Sequence, residues 1–178
     1  VFCCFNSSNK ILPNIFDTWM RILKKVNGSI IWLLESNEIA HKNLKQEAVN
    51  RDVDPNRIIF AKSVLLSEHL ARHKFADLFL DTFPYTAHTT CSDSLRIGLP
   101  VLTLQGESFA SRVSSSLLSV VDLKELITHS PKEYEDMAVE LASNLSRLKD
   151  IKSKLEINKN KSPLFNTKLF ASHIEQAY

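Results

Sequence analysis

Apolar residues in this chain fall into short uninterrupted runs, and polar stretches with helical spacing separate them. Residues 2–5, 30–34, 58–60, 76–80 and 101–104 lack the alternation of a half-exposed strand, so each predicts a strand buried on both faces. Helical patterns lie between them. Ile15, Trp19, Ile22, Leu23 and Val26 share one face of a helix expected over residues 14–26, behind Pro13 and ahead of Asn27-Gly28. Further helices are expected over residues 39–52, 68–74, 89–97 (with Gly98 as the stop) and 109–117, followed by a short strand at 119–122. Buried strands that alternate with helices predict an α/β fold, a doubly wound parallel sheet. Ligands of such a sheet bind beyond the carboxyl ends of its strands.

Beyond residue 130 the pattern is helical only. Tyr134, Met137, Ala138, Leu141, Leu145 and Leu148 predict one helix over residues 131–148. The basic tract 149–161 reads as a solvated face, Ser162-Pro163-Leu164-Phe165-Asn166 interrupts, and a final helix takes residues 167–178. The expected organisation is an α/β unit over 1–130 and a helical segment over 131–178.

Composition narrows the classes. A chain of 178 residues, 44% hydrophobic and 24% charged, is that of one ordinary globular domain. A net charge of +2 argues for neither nucleic acid nor a membrane surface as a partner, and no apolar run reaches bilayer-spanning length. Three cysteines, two of them adjacent, make no disulfide framework; a reducing, cytoplasmic location is expected. The chain opens at Val1, directly in the first strand, which predicts a piece of a longer polypeptide.

The candidate chemistry gathers after the fourth strand, in Asp81-Thr82-Phe83-Pro84-Tyr85-Thr86-Ala87-His88-Thr89-Thr90-Cys91-Ser92-Asp93. The N-terminus of a helix offers unpaired backbone N–H groups and a positive dipole end, which suit an anion. His88, Thr89 and Thr90 add side-chain donors there, and Asp93 can accept from sugar hydroxyls one turn on. A nucleoside diphosphate fits that set; simple capping by Thr89 or Thr90 fits the spacing as well. Lys10, after the first strand, reads either as a surface lysine or as a cation that neutralises a diphosphate leaving group without a metal. His69 and Arg72, three apart, read either as an exposed polar face or as a stacking imidazole and a guanidinium for a base. Arg112 reads as a partner for a carboxylate; Cys91, near a helix N-terminus and His88, has a setting that can favour a thiolate, but no other feature supports a nucleophilic role. The three glycines form no phosphate-binding loop, and the cysteines and histidines lack zinc-ligand spacing, so no metal and no dinucleotide cofactor are expected.

These residues, in this order, resemble the C-terminal half of the catalytic region of the O-linked N-acetylglucosaminyltransferases, glycosyltransferase family 41. The resemblance rests on Phe5-Asn6 with Lys10, Glu68-His69 with Arg72, Leu80-Asp81-Thr82, His88-Thr89-Thr90 with Asp93, Gly106-Glu107 with Ala110-Ser111-Arg112-Val113, Tyr134-Glu135-Asp136 and Ser162-Pro163-Leu164-Phe165-Asn166-Thr167. It covers nearly the whole chain. The resemblance implies the Rossmann-like half of a GT-B glycosyltransferase, with a UDP-sugar held by residues 1–130 and the helices of 131–178 packed on that fold. It implies inverting, metal-independent transfer of N-acetylglucosamine to a protein serine or threonine. Lys10 would stabilise departing UDP, His88, Thr89 and Thr90 hold the phosphates, Asp93 the ribose, and His69 and Arg72 the uracil. The implied partners are a protein acceptor, the other catalytic half and tetratricopeptide helices of the same polypeptide; residues 1–178 alone would bind nucleotide without turnover. Two positions depart from the vertebrate members: Leu66 replaces a lysine near the ribose and Ser7 a glutamine near the phosphates. The alternatives are a branch using UDP-glucose or UDP-galactose, or an asparagine acceptor, and a silent UDP-binding scaffold.

Overall fold

The computed structural model describes all 178 residues. The strands are β1 (Phe2–Cys4), β2 (Ile31–Leu34), β3 (Ile58–Ala61), β4 (Leu78–Leu80), β5 (Val101–Leu104) and β6 (Ile127–Thr128). They form one sheet in the order β3-β2-β1-β4-β5-β6, and every pairing is parallel. The chain runs outward from β1 to β3, then returns to lay β4 on the other side of β1. That reversal makes the β1–β4 seam the topological switch point, where the two adjacent connections diverge and leave a crevice.

Local chemistry sets the helices. α1 (Pro13–Lys25) begins with Pro13 in its first turn and buries Ile15, Phe16, Trp19, Met20, Ile22 and Leu23. α2 (Glu38–Val49) is capped by the Asn37 side chain, which accepts from the Ala40 N–H, and buries only Ala48. α3 (Leu66–Arg72) passes into a 3-10 turn at His73–Phe75. α4 (Thr89–Ile97) ends at Gly98, whose φ of 91° lies in the left-handed region that suits glycine. α5 (Val113–Val120) follows β5. α6 (Pro131–Ser143), α7 (Leu145–Lys161) and α8 (Thr167–Ala177) complete the chain. Tyr134, Ala138, Leu141, Leu148, Ile151 and Leu155 from α6 and α7 join the same core as the strands.

Two sequence expectations fail here. Residues 119–122 are not a strand: α5 runs to Val120, and the chain turns through Asp122 at a φ of 57°. The sixth strand comes later and has two residues, too few to show any periodicity. Residues 131–148 are two helices, because the Asn144 side chain accepts from the Arg147 N–H and starts α7 anew. The break leaves Leu145 exposed rather than buried on the expected face. No helix is long and apolar enough to cross a membrane.

Candidate functional site

The loops after β1 and β4 meet at the switch point, and a buried carboxylate ties them together. Asp81, 1% exposed, follows β4 directly. Its Oδ1 accepts from the N–H groups of Thr82 (2.8 Å) and Ala87 (2.7 Å) and from Asn6 Nδ2 (3.1 Å); its Oδ2 accepts from the Thr103 hydroxyl (2.8 Å). Burial pushes the Asp81 carboxyl above the ordinary value, against the Thr103, Ala87 and Thr82 hydrogen bonds that favour the carboxylate. The Asp81 carbonyl in turn accepts from the Tyr134 hydroxyl at 2.9 Å, and that hydroxyl accepts from Trp19 Nε1 at 3.2 Å. One residue thereby links β4, β5, α1, α6 and the β1 loop.

The rest of the loop is braced as closely. Thr82 donates its hydroxyl to the Tyr85 carbonyl (2.7 Å), and Thr86 donates both its N–H and its hydroxyl to the Ala110 carbonyl (3.0 and 2.7 Å). The Ser114 hydroxyl donates to the Ala87 carbonyl at 2.7 Å. Such a loop is delivered to the N-terminus of α4 already rigid, in a fixed direction.

Onto this frame the structure brings Lys10, His88, Thr89 and Thr90. Lys10 Nζ donates to the Thr86 carbonyl at 3.1 Å and sits 3.9 Å from the centre of the Tyr85 ring. Burial lowers its pKa from the ordinary lysine value, while the nearby Asp81 carboxylate works the other way. His88 occupies the N-cap position of α4, stacks on Tyr85 (5.0 Å, 23°) and meets Phe109 edge-on. The Thr90 hydroxyl donates to Asn6 Oδ1 at 2.5 Å, so it braces the β1 loop; Thr89 is exposed. Neither threonine caps the helix: no side chain accepts from its first turn, and the N–H groups of Thr89, Thr90 and Cys91 have no acceptor within the protein. Of the two readings of this segment, capping is the one the geometry removes.

His69 and Arg72 sit on α3, which follows β3, and Asp93 sits on α4, which follows β4. His69 is half-buried, with its ring edge-on to Phe5 (5.1 Å) and to His73 (5.0 Å). Burial holds both imidazoles below the ordinary histidine value, and the Asp93 carboxylate on α4 opposes this in each. Arg72 points elsewhere. Its Nη1 donates to the Lys62 carbonyl at 2.8 Å, and it walls a shallow cavity of ≈ 470 Å³ with Trp32, Phe60, Val64 and Glu68. His69 and Arg72 therefore do not share one contact. Leu66 and Ser7 are both exposed on the rim.

Two sequence readings need correction. Cys91 is fully buried in the first turn of α4, and burial pushes its thiol far up, so it has no thiolate character. Arg112 is exposed and pairs with no carboxylate. Three residues lie inside the sequence motifs but have roles that the motifs do not show. Asn6 and Asp81 act through hydrogen bonds to residues distant in sequence, and Tyr85 through its contacts with Lys10 and His88.

The chain is similar to known proteins. The family model for glycosyl transferase family 41 matches residues 1–174. A probable UDP-N-acetylglucosamine–peptide N-acetylglucosaminyltransferase, SEC, of Arabidopsis thaliana is 37% identical over all of this chain, which covers 18% of that protein. The Caenorhabditis elegans UDP-N-acetylglucosamine–peptide N-acetylglucosaminyltransferase is 36% identical over 98% of the chain, which covers 15% of it. A solved mutant of the Thermobaculum terrenum O-GlcNAc transferase superposes with a TM-score of 0.93 at 29% identity, over 99% of this chain and 35% of that one. The chain thus spans less than a fifth of the length of these two curated relatives. With a match that runs through the strands, the crevice loops and the C-terminal helices alike, the chain belongs to glycosyl transferase family 41.

Proposed function

We propose that this chain is the UDP-sugar-binding half of a protein O-glycosyltransferase that moves N-acetylglucosamine from UDP-N-acetylglucosamine to a serine or threonine hydroxyl, with inversion and without a metal. The observation that carries this reading is the Lys10 ammonium held at the loop leading into α4, whose first N–H groups have no acceptor in the protein. A diphosphate placed there receives a full positive charge and the positive end of a helix.

The chemistry follows from that placement. The acceptor oxygen forms a bond to the anomeric carbon on the face opposite the bond to the β-phosphate oxygen, which breaks. Its electron pair goes to the phosphate of the departing UDP, and the acceptor hydroxyl gives its proton to water as the new bond forms. Charge grows on UDP as the bond lengthens, so donors already aimed at it stabilise the transition state more than the ground state. In this reading Lys10 and the α4 N–H groups provide that stabilisation, with Thr89 and His88 on the phosphates and Asp93 on the ribose. Thr90 acts from behind, through Asn6. Arg72 and His69 flank the uracil, Arg72 from the wall of the cavity beside β3. In this reading the other catalytic half and tetratricopeptide helices belong to the longer polypeptide, and the protein acceptor is its partner. The coverage of less than a fifth of the curated relatives above supports that division.

Metal-free calorimetric titration of the folded chain with UDP and ADP tests the reading. UDP is expected to bind in preference to ADP, and Lys10→Ala and His88→Ala to weaken it. A folded chain that binds ADP equally well, or UDP binding indifferent to Lys10, overturns it.

A further inference from the structure

Lys10 is held in an unusual way. A lysine stem normally lets its ammonium reach water or a carboxylate. Here the ammonium forms no ion pair, and its partners are one carbonyl oxygen and one aromatic face. Both are neutral. A carboxylate in place of the ring would also fix the lysine, but it would cancel the charge that an incoming anion needs. An aromatic face attracts the cation through its quadrupole and leaves the net charge intact.

The ring itself is placed by the loop rather than by the core. Tyr85 is 47% exposed and its hydroxyl has no partner, while its backbone carbonyl is fixed by the Thr82 hydroxyl at 2.7 Å. The same ring stacks on His88, which stands at the N-cap of α4. Lys10 from the β1 loop and His88 from the β4 loop are far apart in sequence, and the Tyr85 ring touches both. We propose that Tyr85 is a positioning residue for the anion site: its ring sets the Lys10 ammonium and the His88 imidazole in one array at the open end of α4, without neutralising the lysine. The role rests on the diphosphate reading above.

The experiment pairs a ligand-free readout with a binding cycle on the 178-residue chain. Proton NMR of Lys10, assigned by loss of its signals in Lys10→Ala, is expected to show its ε-methylene shifted upfield by the Tyr85 ring. The shift should persist in Tyr85→Phe and vanish in Tyr85→Leu, with the melting temperature unchanged in both. UDP titration should show Tyr85→Leu weakened about threefold to tenfold and Tyr85→Phe close to wild type, as the magnitude of a cation–π contact implies. Lys10→Ala/Tyr85→Leu should lose less than the sum of the two single losses, because part of the effect passes through the lysine. Tyr85→Leu binding as tightly as wild type, or losses that simply add, overturns the positioning role while the diphosphate reading stands. A wild-type chain that shows the upfield shift but ignores UDP overturns the diphosphate reading, and this role with it.

Discussion

The loops after β4 and after β3 sit at the same edge of one sheet, yet they are built in opposite ways. In the β4 loop Asp81, Thr82, Thr86 and Ala87 are all buried, and hydrogen bonds from three other elements converge on it. In the β3 loop Lys62, Ser63, Val64 and Leu65 are all exposed, and the Arg72 guanidinium on the Lys62 carbonyl is the brace. A site that must stabilise developing charge needs donors that do not reorganise, and the β4 side has that rigidity. A site that recognises a flat base can tolerate an open wall. With the diphosphate on the β4 side and the base on the β3 side, as proposed, the contrast predicts that the first is set before ligand arrives and that the second adjusts on binding.

The harshest challenge is Asp81→Ala. Removing the carboxylate orphans two backbone N–H groups and the Thr103 hydroxyl, at about 1–3 kcal/mol for each unsatisfied buried group, and leaves Asn6 Nδ2 with the Thr82 hydroxyl alone. A loss of at least about 3 kcal/mol is expected in urea unfolding; a loss below about 1 kcal/mol would mean the loop holds without its hub. Next comes Lys10→Ala, which should weaken UDP by about 1.5–3 kcal/mol, the range for a charge-assisted hydrogen bond, while leaving unfolding midpoints nearly unchanged. Arg72→Ala should cost about 1 kcal/mol of UDP affinity and narrow the preference for UDP over ADP, since the proposed reading puts the base on this side. An equal loss for both nucleotides would assign Arg72 to the phosphates instead.

The mildest test uses pH. Burial lowers the pKa of His69 and of His73, so folding favours their neutral forms. Their contribution is fully present above the ordinary histidine pKa of about 6.5 and is lost as pH falls through the lower folded values. Because both rings pack on Phe5 beneath α3, acid should loosen the β3 side first. Amide exchange followed from pH 7.5 down to about 5 should accelerate in residues 62–75 before 81–90; simultaneous loosening would sink the contrast.

Much of this molecule could be read in advance. α4 and β5 lie at the expected residues, because Gly98 and Pro100 separate them as a helix stop and a strand opener, and both signals are local. Lys10, His88, Thr89 and Asp93 could be named as candidates because their residue types suit an anion and a sugar. The failures are equally physical. Val120 and Val121 look like a strand by composition, but Val121 reaches the core from the end of a helix. Asn144 looks like an ordinary polar position inside a helix until its side chain accepts from Arg147.

Local order was therefore written in the chain itself: buried runs for strands, periodic faces for helices, and polar loops at the strand ends. Folding alone settled what those polar residues do. Asp81, with the outward look of a loop carboxylate, became a buried hub, and Cys91 an inert core thiol. Arg72 turned onto a backbone carbonyl, and Tyr85 came to lie against Lys10. Burial and the geometry of distant partners fix such roles, and neither is a property of neighbouring residues in sequence.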